Sequence, residues 1–141
     1  MSLLAALAIA MAACPPPTEA EVRTAFETWL VAYRSRDIAG TMTIFDPAVR
    51  FQFQGSPDLD WAALRSNYLS EFAATAASEW RPVWDEVIVS GEIAAVFASW
   101  REHVASEIEP RAENRAVDIL RRGEDCRWRI VRSLNHPARA Q

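Results

Sequence analysis

The chain has 141 residues, half of them hydrophobic and 24% charged, which suits one globular domain with a single core. Its net charge is −4, and all 15 basic residues are arginines. An acidic chain with scattered arginines argues against a nucleic-acid partner, which would draw on a concentrated basic surface.

The first thirteen residues, MSLLAALAIAMAA, hold no charge and are nearly all apolar. They are too few to span a membrane but match the apolar part of a signal peptide. Met11-Ala12-Ala13-Cys14 resembles a weak bacterial lipobox, so Cys14 is a candidate for lipidation and the only implied membrane link. Export implies a periplasmic or secreted domain. No basic residue precedes the apolar run, and a mis-assigned start codon would instead leave the protein cytoplasmic. Residues 1–17 therefore read as a leader and tether, 18–137 as the domain and 138–141 as a tail. Cys126, the other cysteine, falls in a turn, and two cysteines so placed read as neither a disulfide framework nor a metal site.

Within the domain, Thr18 and Glu21 form a capping box for a first helix. Its apolar positions, Val22, Phe26, Trp29, Leu30 and Tyr33, recur at helical spacing. Asp37 caps a short second helix over 38–45, which Asp46-Pro47 ends. Val49 to Phe53 alternates as a strand broken by Gly55-Ser56-Pro57. Asp60 caps a third helix carrying Trp61, Leu64, Tyr68, Leu69 and Phe72 on one side. Beyond residue 80 the period becomes 2, predicting strands over 80–89, 93–105, 114–122 and 127–135. Helices first and an antiparallel sheet after them make an α+β fold.

Three stretches carry a family resemblance: AFETWLVAYRSRDIAGTMTIFDPAVRFQFQGSP, SGEIAAVFASWREH and RWRIVRSLNHP. Together with the order of elements over roughly 18–137, they resemble the nuclear transport factor 2-like superfamily. Its SnoaL-like and ketosteroid-isomerase-like members are the most similar. The resemblance implies a cone-shaped fold, with helices on a strongly curved sheet that is antiparallel and mixed at the edge, enclosing one pocket. It also implies a homodimer packed through the sheet. It does not fix an activity, because that superfamily holds isomerases, cyclases, dehydratases and plain binding domains.

The last hairpin places an aspartate in an apolar row. A turn centred on Glu124 and Asp125 puts Asp118 opposite Arg132, Leu120 opposite Ile130 and Ala116 opposite Leu134. Folding the preceding strand back puts Trp100 beside Asp118 and Glu102 beside Ala116. An apolar face with a few converging polar groups is the form of a ligand pocket. The candidate ligand-binding residues are therefore Trp29, Trp100, Glu102, Asp118 and Arg132. The resemblance places Asp118 where the isomerases keep a neutral carboxylic acid that donates a hydrogen bond to an enolate. Their tyrosine falls at Trp29, and their base near Phe51, Gln52 and Phe53, where no carboxylate occurs.

Asp118 and His136, the latter at the pocket mouth, are the candidate proton-transfer groups. Each has a plainer reading, as half of a structural ion pair and as a rim residue. No metal constellation, phosphate loop or nucleophile triad is present, and no cofactor is implied. Three functions stay open: a binding domain for a small apolar or partly polar molecule, a SnoaL-like isomerase, cyclase or dehydratase, and an interaction subunit using the outer sheet face.

Overall fold

The computed structural model describes residues 13–74 and 78–138. Three helices and five strands follow in the order α1 (Glu19–Arg34), α2 (Ile38–Met42), β1 (Phe45–Phe53), α3 (Trp61–Ala73), β2 (Ser78–Ser90), β3 (Ile93–Val104), β4 (Ala112–Arg122) and β5 (Trp128–Pro137). Strand order is β1-β5-β4-β3-β2. The β1–β5 pair is parallel and the other three pairs are antiparallel. The sheet is thus mixed at one edge, as the family resemblance implies.

Local chemistry sets the helix starts. Thr18 and Glu21 close the capping box of α1, each side chain reaching the other's backbone N–H. Asp37 and Asp60 accept from the backbone N–H groups of Gly40 and Ala63. Helix α2 ends at Met42, earlier than its apolar residues suggest, because Ile44 is buried in the turn that follows and Phe45 is buried as the first residue of β1. Gly40 is required by packing, since a Cβ there would stand 2.9 Å from the Ala32 Cβ.

The core lies between the helices and the concave sheet face. Val22, Phe26, Trp29, Leu30 and Tyr33 of α1 meet Val49, Val96, Leu120 and Ile130 of the sheet, all buried. Burying each large apolar side chain contributes roughly 1.5–3 kcal/mol. Register shifts interrupt three strand pairs: β1–β5 between Phe45 and Arg50, β2–β3 between Trp84 and Glu86, and β4–β5 between Ile119 and Leu120.

The N-terminal segment departs from the sequence reading. Cys14 and Cys126 form a disulfide across 112 residues of chain, so Cys126 is a structural residue and the two cysteines do staple the fold. Two cysteines 112 apart carry no sequence signal for pairing. The pairing follows only once the β4–β5 turn lies beside the start of α1. While bridged, the Cys14 sulfur has no thiol to carry a lipid. The segment expected to act as a tether is itself fastened: buried Arg122 donates to the Pro15 carbonyl oxygen (2.6 Å) and to Glu21 Oε1 (2.9 Å). The apolar leader, residues 1–12, lies outside the described residues, as do the tail residues 139–141.

Candidate functional site

A cavity of about 230 Å³ opens between the helices and the sheet. Helix α1 supplies Phe26, Trp29 and Tyr33 from one stripe at spacings of three and four, and α3 supplies Leu64, Asn67, Tyr68 and Glu71 in the same way. The sheet closes the far wall with Trp100, Asn114, Asp118 and Ser133. Phe53, Asn67 and Glu71 are its exposed lining residues and mark the mouth. The aromatic wall is continuous: Trp29 stacks on Tyr33 at 5.1 Å between ring centres and meets Trp100 edge-on at 5.4 Å.

The β4–β5 bulge answers why an aspartate stands in an apolar row. Leu120 faces Ile130 as the turn position predicts, but Ile119 faces Arg132, so Val131 is the extra residue. Beyond it the register is displaced by one, and Asp118 faces Ser133 instead of Arg132. Arg132 turns outward and is exposed, as is Leu134, which had been expected inside. Asp118 is 4% exposed and has no ion-pair partner among the described residues. Desolvation pushes its carboxyl up from 3.8 to about 6, and the Ser133 hydroxyl beside it pulls the other way.

The β3–β4 register also differs from the expected one. Val96, not Trp100, lies opposite Asp118; Trp100 faces Asn114 and Glu102 faces Ala112. Trp29, Trp100 and Asp118 therefore line the cavity. Glu102 pairs with Trp80 toward the mouth without lining it. His136, opposite Arg115 on the outer face, sits in a surface groove with Arg101 and Glu113. It is not at the pocket mouth, because the same one-residue displacement puts Asn135 on the inner row in its place.

The sequence reading passed over Glu71, Tyr68 and Tyr33 as site residues. The Tyr33 hydroxyl donates to Glu71 Oε1. Burial, with repulsion from Glu102, raises the Glu71 carboxyl above its ordinary value, opposed by the Tyr33 hydrogen bond. Burial first and Glu71 second push the Tyr33 hydroxyl well above its usual range. Tyr68 is shifted the same way, mainly by burial and then by the negative charges of Glu71 and Asp118. Tyr68 thus stands between the two carboxylates. The usable signal was Leu64, Tyr68 and Glu71 at i, i+4 and i+7, one helical stripe that ends in an acid.

One buried donor in the cavity wall lacks a partner among the described residues. Trp29 Nε1–H is buried and makes no hydrogen bond among the described residues. Leaving a buried donor unpaired costs about 1–3 kcal/mol, so such groups are rare and mark places where a ligand atom can fit. No group of three His, Cys, Asp or Glu side chains among the described residues could hold a metal.

No protein-family model matches the sequence, and no curated protein matches it. Solved structures do. A nuclear transport factor 2-like protein of unknown function from Pseudomonas putida superposes with a TM-score of 0.71, covering 90% of this chain and 92% of that one at 16% identity. A ketosteroid isomerase-like protein from Erwinia carotovora atroseptica gives 0.67, with 86% and 96% covered at 19% identity. A protein described as a dehydratase of the nuclear transport factor 2-like family, from Streptomyces avermitilis, gives 0.71, with 86% and 96% covered at 19% identity. At such identities the likeness concerns architecture, and it agrees with the element order, the mixed sheet edge and the helix-covered concave face. The chain has the nuclear transport factor 2-like fold.

Proposed function

We propose that the domain binds a small, largely apolar molecule in the cone. The observation that carries this reading is the aromatic-walled cavity of about 230 Å³, whose lining includes a buried carboxyl, Asp118, with no ion-pair partner among the described residues. Apolar walls supply affinity through desolvation, and the few polar groups fix orientation. The ligand this suits has an apolar body and at least one polar group for the Asp118 carboxyl. Native mass spectrometry of the purified domain tests it: a retained molecule of small-ligand mass, lost in Asp118→Ala and Trp100→Ala, is the expected result. An empty cavity, together with no thermal shift from any member of a small-molecule panel, would overturn it.

Proton-transfer chemistry in the cone is the second reading, favoured by the raised Asp118 carboxyl and by Glu71, a second carboxylate in the same cavity. His136 has no part in it, since it lies on the other sheet face. Turnover of a carbonyl substrate, abolished by Asp118→Asn with binding retained, would establish it.

We also propose a homodimer through the outer sheet face, where Val83, Ile88, Ile93 and Leu134 are exposed. Export to an oxidising compartment is the companion proposal, supported by the Cys14–Cys126 disulfide. In that form Cys14 is bridged and the domain is released, not lipid-anchored.

A further inference from the structure

The charges of the cavity lining all have one sign. Nine aromatic side chains line it, together with two carboxylates, Asp118 on the inner wall and Glu71 at the mouth; none of its lining residues is Arg, Lys or His. In a chain with 15 arginines this is a marked segregation. Of the arginines on β3, β4 and β5, Arg101, Arg115, Arg121 and Arg132 sit on the outer face of the sheet, and buried Arg122 is held by Glu21 away from the cavity lining.

No cation among the described residues relieves the charge of Asp118, and the Ser133 hydroxyl offsets its desolvation only in part. From α3 it faces Tyr68 and, beyond it, Glu71; from β5, Ser133; from β3, Val96. Tyr33 of α1 lines the cavity beside Glu71, and Glu102 of β3, outside the lining, acts on both through its charge; they add a phenol and a further acid but no cation. A buried acid held this way is costly in its charged form unless a positive charge reaches it. Aromatic faces favour that same kind of visitor, because their π-electron clouds attract ammonium groups.

We propose that the ligand of the cone is an apolar amine, protonated or quaternary, whose cationic nitrogen sits against Asp118 and the aromatic wall, with Glu71 drawing it in at the mouth. This rests on the small-ligand reading of the cavity and names the ligand's chemical class. The nitrogen takes the role of the missing counter-ion.

The test is binding of three ring compounds of similar size and different charge: benzyltrimethylammonium, benzyl alcohol and benzoate. Binding to the full chain is followed by tryptophan fluorescence or calorimetry at pH 7.5 and at pH 5. At pH 7.5 the ammonium binds roughly tenfold or more tightly than the alcohol, and benzoate binds weakest. That preference shrinks at pH 5, where Asp118 takes up a proton. It also shrinks in Asp118→Asn, and to a smaller extent in Glu71→Gln. Equal or tighter binding of the alcohol at pH 7.5 overturns the amine while leaving the small-ligand reading intact. No binding by any of the three, with the wild type folded, counts against both. Because the pH comparison uses the wild type alone, the test does not depend on how either variant folds.

Discussion

At the scale of single residues, Asp118 has two consequences that can be separated. Its carboxyl is raised from 3.8 to about 6 in the folded state by burial. Between those values the folded chain holds a proton that the unfolded chain has lost. Stability from this group is therefore complete below about pH 4 and falls as pH rises through 6. Two pKa units correspond to about 3 kcal/mol. Asp118→Asn should raise stability by about 1–3 kcal/mol at pH 7.5 and change it little at pH 4, as read from urea unfolding at both pH values. A variant less stable than wild type at pH 7.5 would mean that Asp118 has a compensating partner. Glu71 contributes with the same sign, since its carboxyl is also raised. Retention of an acid that destabilises the empty fold is the expected mark of a functional group.

At the scale of elements, the hairpin β4–β5 carries both the site and the N-terminal fastening. Arg122 is buried and satisfied by Glu21, the Pro15 carbonyl and the Cys126 carbonyl. Glu21 also accepts from the Trp128 indole (3.5 Å). Removing Arg122 takes away the buried donor that these acceptors share. Arg122→Ala should cost roughly 3–5 kcal/mol, measured by chemical unfolding, and Arg122→Lys should recover only part of it because the fork geometry is lost. A cost below about 1 kcal/mol would show that the cluster is solvated. The elements themselves were legible in the sequence: capping residues and the change of period from 3.6 to 2 give three helices and the strands in order. The β4–β5 bulge was not. One extra residue at Val131 moves Arg132, Leu134 and His136 to the outer face and brings Ser133 and Asn135 to the inner one, and nothing in their residue types announces it. Trp29, Trp100 and Asp118 face the cavity as expected because they lie on long, strongly patterned elements, although the partners expected for Trp100 and Asp118 were not the ones found. Glu71 escaped notice because an acid near a helix end reads as solvated until the facing wall is known.

At the scale of the whole molecule, one cross-link ties the two ends of the chain together. The Cys14–Cys126 bridge closes a loop of 112 residues, and a closure of that size restricts the unfolded chain by about 2–5 kcal/mol. Cys126 sits at a φ of +63°, a backbone region that favours glycine, so the bridge also holds the turn in a conformation the residue would otherwise avoid. Reduction, or paired Cys14→Ser and Cys126→Ser replacement, should lower the unfolding midpoint by several degrees while leaving the cavity's aromatic wall in place. An unchanged midpoint would place the bridge outside the cooperative unit. The central claim is that the cone receives a ligand against its unpaired polar groups. The most direct measurement is the nitrogen-resolved NMR signal of the Trp29 indole N–H during titration with benzyltrimethylammonium and benzyl alcohol. A ligand in the cone shifts that signal saturably and in step with Trp100, and the shift disappears in Asp118→Ala. Saturable binding that leaves the Trp29 and Trp100 signals unmoved would contradict the account and place the ligand site elsewhere on the molecule.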